Sequence, residues 1–116
     1  MTVYWTDLAK LTMKKRDHYT RDAIEQEFEL ATAEGGDPAA QKQHVKVDEA
    51  GRWFVTPVAD YRYSVIWHCD AAQRKAYVDA VVPAYFAASK AGNLLNQVRQ
   101  VVKQESGKDL LLPIEP

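Results

Sequence analysis

Six residues on two neighbouring segments have the types and spacing to do chemistry together. Arg62, Ser64 and His68 take even positions in the run Tyr61 to Cys69, and Lys75, Tyr77 and Asp79 take odd positions in the run Lys75 to Val82. If both runs are strands, each set lies on one face, because successive strand side chains point to opposite sides. Paired antiparallel, the strands would gather an imidazole, a carboxylate, two cations and two hydroxyls on one surface. Such a face suits phosphate binding, or acid–base work through His68, the side chain that titrates nearest neutrality. Tyr85, just past the second run, extends the candidate binding face. The same spacing also describes a sheet face that merely meets solvent or a covering helix.

Other chemistry is less well served. His18, His44 and His68 are scattered, and Cys69 has no second cysteine at ligand spacing, so no metal site is expected. His68 and Cys69 are strand neighbours and face opposite ways, which excludes a nucleophile–base pair. Cys69 reads as a small buried residue. No glycine-rich phosphate loop follows a strand, since Gly35-Gly36 closes a helix and leads into Asp37-Pro38. No cofactor is expected.

The elements that must position these residues follow from periodicity. Tyr61, Tyr63, Val65, Trp67 and Cys69 alternate with the polar set, and Ala76, Val78, Ala80 and Val82 do the same in the second run. These patterns predict an antiparallel hairpin joined near Asp70 to Arg74. Trp53, Tyr61, Tyr63 and Trp67 sit at apolar positions and are expected in the core. Residues 41–48, with Val45 and Val47 alternating with His44, Lys46 and Asp48, predict a further strand. Gly51 turns it into Arg52 to Val58, where Pro57 marks an edge or a bulge because it has no N–H for a ladder.

Upstream, Val3-Tyr4-Trp5 predicts a short first strand. Thr6 or Asp7 then caps a helix that turns Leu8, Ala9 and Leu11 inward and ends in Lys14-Lys15-Arg16, cations that suit a helix C-terminus. Thr20 is expected to cap a second helix, with Ile24, Phe28 and Ala31 as its apolar stripe, widened by Ala23 and Leu30, and Glu25, Glu27 and Glu29 outside. After Pro83, a short helix over residues 84–91 is divided at Gly92 from a longer one. There Leu94, Leu95, Val98, Val101 and Val102 form a stripe that must be covered, by the chain's own sheet in preference to a second subunit. Gly107 ends it, and the apolar tail from Asp109 is expected to dock. The fold class is α+β: an antiparallel four-stranded sheet, an N-terminal helical hairpin and a long C-terminal helix, in one domain spanning residues 1–116.

Composition narrows the function classes. A net charge of −1 over 116 residues offers no basic field for nucleic acid, which is possible but not favoured as a partner. One cysteine permits no internal disulfide, and no signal peptide or membrane-spanning run is visible, so a cytoplasmic protein is expected.

The order of strand, two helices, loop and hairpin, with Val3-Tyr4-Trp5 before Asp7-Leu8-Ala9 and the later Tyr61-Arg62-Tyr63-Ser64-Val65-Ile66-Trp67, resembles the RelE/ParE superfamily of bacterial toxins over residues 2–83. The resemblance implies a short strand leading two antiparallel helices into a curved antiparallel sheet. It implies a toxin of a toxin–antitoxin pair, with Arg62 and Tyr85 at positions that match functional ones. Ribosome-dependent RNases of that family are strongly basic and carry Lys and Arg on the sheet. Here those positions are Phe54, Thr56 and Val58. The resemblance therefore implies action by protein binding more than by efficient mRNA cleavage. The partner would be an antitoxin, a toxin or a target enzyme, met by a monomer or homodimer. A small immunity or inhibitor protein that neutralises a toxin or nuclease by direct binding is the alternative, with the row Glu25, Glu27 and Glu29 meeting a basic target.

Overall fold

The alternating run read from Tyr61 becomes, from Tyr63 onward, the middle strand of a five-stranded mixed sheet in the computed structural model. The structure describes residues 1–33, 38, 41–48, 52–70, 72–86 and 91–110, and side chains of the last helix from Leu94 onward. In chain order the elements are β1 (Thr2–Trp5), α1 (Asp7–Met13), α2 (His18–Ala33), β2 (Val45–Lys46), β3 (Trp53–Val58), β4 (Tyr63–Asp70), β5 (Lys75–Val82) and α3 (Ala91–Ser106). The strand order is β1-β5-β4-β3-β2. The α+β class holds, but two details of the expected sheet do not. There are five strands instead of four, and β1 runs parallel to β5, so the sheet is mixed instead of antiparallel. Period-2 patterning reports a strand and its buried face, but carries no information on which distant strand it joins or in which direction.

Two apolar cores lie on the two faces. On one, Ala9 and Met13 of α1 and Ile24 and Phe28 of α2 pack on Phe54, Val65, Trp67, Ala76 and Val78. On the other, Leu94, Val98 and Val102 of α3 pack on Val55, Ile66, Ala80 and Val82. The stripe of α3 is thus covered by the chain's own sheet. Residues on β4 keep strict alternation, with Val65 and Trp67 toward the first core and Ile66 toward the second.

β5 departs from the expected single parity. Ala76 and Val78 face the first core, whereas Ala80 and Val82 face the second. The cause is a slip in the ladder: Ile66 pairs with Ala80, but Trp67 pairs with Val78, which leaves Asp79 as the extra residue of a β-bulge. Pro57 sits within β3, opposite Ser64. It is tolerated because β2 pairs only with Phe54 and Val55, so the outer side of β3 has no strand partner at Pro57.

Caps and ties complete the frame. Thr6 caps α1, its Oγ1 accepting from Ala9 N at 3.2 Å and donating to Val78 O at 2.9 Å. Asp17 takes the role expected of Thr20: its carboxylate accepts from Thr20 N at 2.7 Å, which holds its pKa below the usual value. Gly107 follows α3 at φ 73° and donates to Lys103 O at 2.8 Å, a left-handed C-terminal cap. Leu8 and Leu11 are only half-buried, Ala23 and Leu30 are exposed, and Thr32 is the further buried residue of α2. The cations after α1 do more than cap it. Lys15 and Arg16 both pair with Glu105 of α3, and the Arg16 guanidinium lies 5.1 Å from the centroid of Tyr63. Residues 84–86 are not helical; Gly35-Gly36, Gly51 and the tail beyond Leu110 lie outside the described residues.

Candidate functional site

The expected binding face divides between the two ends of the sheet. A strand rises about 3.3 Å per residue, so the five steps from Tyr63, the first residue of β4, to His68 span about 17 Å. Arg62 lies in the turn between β3 and β4, where its Nε donates to Ala59 O at 3.0 Å. Ser64 is buried and its hydroxyl donates to Ala84 O at 2.6 Å. Tyr85 stands near the same end, its ring edge-on to Tyr61 at 5.5 Å. Tyr61 is exposed there, contrary to the expected core position, because it belongs to the turn and not to the strand.

His68, Lys75, Tyr77 and Asp79 do come together at the other end. His68 Nδ1 lies 2.7 Å from Asp79 Oδ2. The bulge at Asp79 makes this contact, by turning the carboxylate onto the face that carries His68. Register places Trp53 and Tyr77 on either side of His68, and Tyr4 beside Tyr77. The four rings form a row across β3, β4, β5 and β1. Trp53 and His68 lie 5.0 Å apart, His68 and Tyr77 5.0 Å with planes 16° apart, and Tyr77 and Tyr4 5.5 Å with planes 22° apart. Lys75 Nζ sits 5.5 Å from the Tyr4 centroid. Trp53 and Tyr4 were not among the expected site residues. A signal for Trp53 was present: once the turn is centred between Asp60 and Tyr61, counting outward puts Trp53 opposite His68.

Electrostatics follow from burial. Burial holds the Asp79 carboxyl above its ordinary value, and the hydrogen bond and charge of His68 act in the opposite direction. With Asp79 accepting, Nδ1 of His68 is the protonated nitrogen in the neutral ring and Nε2 is the basic one. Asp79 also lines a cleft of about 680 Å³ between α1 and the chain after α3, with Leu8, Leu11, Lys14, Lys108 and Leu110. His68 does not line that cleft. Cys69 points to the first core and its thiol approaches Met1 Sδ at 3.9 Å; it is half-buried, not fully buried as expected. No group of three His, Cys, Asp or Glu that could hold a metal ion occurs among the described residues. The hydrogen bond to Asp79 orients the His68 imidazole, and the Tyr77 ring stacks against it.

A second polar chain, also missed from sequence, runs through the first core. Trp67 Nε1 donates to Thr56 Oγ1 at 2.8 Å, Thr56 donates to His44 Nδ1 at 2.7 Å, and His44 Nε2 donates to Ala31 O at 3.2 Å. Each buried polar atom in the series has a partner, as a low-dielectric core requires. Burial lowers the His44 pKa, with the Ala31 carbonyl opposing. This chain ties α2, the segment before β2, β3 and β4 together and is structural.

Among the described residues, no helix is long and apolar enough to cross a membrane. Comparison with known proteins finds no family whose model matches this chain, no curated protein similar to it and no similar solved structure.

Proposed function

We propose that this chain is a RelE/ParE-like protein of a bacterial toxin–antitoxin system that acts by binding a protein, and not by efficient mRNA cleavage. The succession of strand, two helices and sheet supports the likeness. The observation that carries the mode of action is the placement of α3. Its residues Leu94, Val98 and Val102 convert the face that bears Ser64 and Ile66 into a second core. A sheet-based RNase would need that face open and basic. Arg62 is held by its own turn, before the start of β4 and apart from the His68–Asp79 pair. Net charge of −1 adds no attraction for the phosphate backbone.

Induced expression in a bacterial host, combined with an assay on ribosome-bound mRNA, tests this. Growth arrest without mRNA cleavage supports the proposal. Cleavage by the purified protein that Arg62→Ala abolishes would overturn it. No arrest, but rescue of cells from a co-expressed toxin, would assign the inhibitor role in its place.

A further inference from the structure

Of the exposed large apolar side chains among the described residues, Leu30, Tyr61 and Tyr85 line two adjoining clefts, whereas Tyr4 and Tyr19 lie elsewhere. Leu30 is 75% exposed, Tyr61 64% and Tyr85 60%. The rings of Tyr61 and Tyr85 meet edge to face, with planes 89° apart. Together with Pro57 and Phe86 they wall a cleft of about 440 Å³. A second cleft of about 390 Å³ shares Glu27, Gln43 and Pro57 with it and reaches Leu30. The two adjoin and form one groove between α2 and the outer side of β3.

The backbone that presents Tyr61 is costly to hold. Ala59, Asp60 and Tyr61 have φ of 53°, 54° and 65°, three successive non-glycine residues in the left-handed region. The turn is held from outside by Glu27, whose Oε2 accepts from Ala59 N at 2.9 Å, and from within by Arg62, which donates from both its backbone N and its Nε to Ala59 O. Strained backbone of this kind persists where neighbours over-determine it, and it collects at contact sites. Here it fixes an exposed tyrosine against its neighbour Tyr85.

We propose that this groove binds an extended, proline-containing segment of a protein partner that carries a basic residue beside its prolines. This rests on the protein-binding reading above and names the surface and the class of ligand. A polyproline II segment has three residues per turn and no internal hydrogen bonds, so it docks by packing prolines against exposed aromatic rings. Tyr61, Tyr85 and Pro57 supply such walls, and Phe86, buried in the second core, lines the same cleft. Tyrosines also supply contact area at low entropy cost. A strand-like ligand is disfavoured at the same place, because Pro57 has no N–H to pair with it. Charge selects the basic flank: Glu27 and Asp60 face the cleft against one cation, Lys42, which leaves the wall net negative. Exposed charges of this sort set specificity more than affinity.

The test uses the full chain and an array of synthetic decapeptides. One set carries Pro-Pro-x-Pro with an arginine at each flanking position; control sets replace the prolines by alanine or the arginine by glutamate. Fluorescence anisotropy then measures affinity for the strongest binders. Binding should weaken about tenfold or more when prolines become alanine, and by a similar factor in Tyr85→Ala, whose side chain is exposed and whose circular dichroism should match wild type. Asp60→Arg should move the preference from arginine-flanked to glutamate-flanked peptides. An array with no proline-dependent binding overturns the proposal, as does binding that Tyr85→Ala leaves unchanged. A wild-type dimer that Tyr85→Ala dissociates in sedimentation would give the groove to a second copy instead. The growth and rescue assays judge protein binding without any peptide, so the two readings can fail separately.

Discussion

His68 Nδ1 lies 2.7 Å from Asp79 Oδ2, and the two residues share a face only because β5 is bulged at Asp79. Had the pairing Ile66–Ala80 continued without a slip, Asp79 would stand opposite Trp67 and point into the first core. A bulge re-aims one side chain at the expense of one ladder position. Here it converts a buried-charge problem into an imidazole–carboxylate pair whose imidazole lies within an aromatic row, between Trp53 and Tyr77.

Asp79 should leave a signature in the pH dependence of stability. Burial raises its folded pKa above 3.8, so the folded state holds the proton more tightly than the unfolded one. That contribution is fully present below 3.8 and is lost as pH rises through the folded value. Asp79→Asn removes the titration and keeps an acceptor for His68. In urea denaturation, the stability of wild type relative to Asp79→Asn should therefore fall as pH rises above about 4. A difference independent of pH would mean the carboxyl is not raised.

His44 should act with the opposite sign and in a different window. Burial lowers its folded pKa below 6.5, so near and below that pH the unfolded chain binds more protons than the folded one. Stability from this group is complete above 6.5 and is lost as pH falls toward the folded value. His44→Gln should flatten the fall in the urea midpoint between about pH 7 and pH 5. An unchanged slope would assign the acid sensitivity to other groups.

Thr56 links Trp67 and His44 through one hydroxyl. Thr56→Val has nearly the same shape and leaves the indole N–H and the imidazole Nδ1 without partners. It should cost about 2–4 kcal/mol, since each buried orphan costs about 1–3 kcal/mol. Thr56→Ser, which keeps the hydroxyl, should cost about 1 kcal/mol or less. Equal losses in chemical denaturation would show that the methyl, and not the hydrogen bonds, is what matters.

The cover over the second face is testable by position. Val98 of α3 is fully buried against the sheet, while Val101 of the same helix is only half-buried. Val98→Asp places an unpaired carboxylate in the core and should cost about 3 kcal/mol or more; Val101→Asp should cost about 1 kcal/mol. Circular dichroism during urea titration measures both. If Val98→Asp stayed folded and only dissociated a dimer in sedimentation, the stripe would be an interface between copies.

Much of this architecture was legible in the chain. Alternation from Tyr63 to Cys69 determined a strand with Val65 and Trp67 on one face, because side-chain direction follows backbone geometry with period 2. The 3.6-residue spacing of Leu94, Val98 and Val102 determined a helix with one buried stripe. Thr6 and Gly107 were readable as caps, since capping needs only residues a turn away. The grouping of Arg62 with His68 on one face did not hold: Arg62 falls in the turn before β4, where it bonds Ala59.

What remained was settled by contacts between residues far apart in sequence. β1 lies parallel to β5 because Val3 and Trp5 complete the first core there, and no local pattern carries that direction. The parity of β5 broke at a bulge that a regular period cannot announce. Lys15 and Arg16 looked like cations at a helix end and met Glu105 nearly 90 residues later. His44 looked like the polar side of a strand and became a buried link between Thr56 and Ala31. In each case the residue type was compatible with two environments. The packing of the two helical layers on the sheet decided between them, since only a closed core sets which polar groups lose water and must find each other.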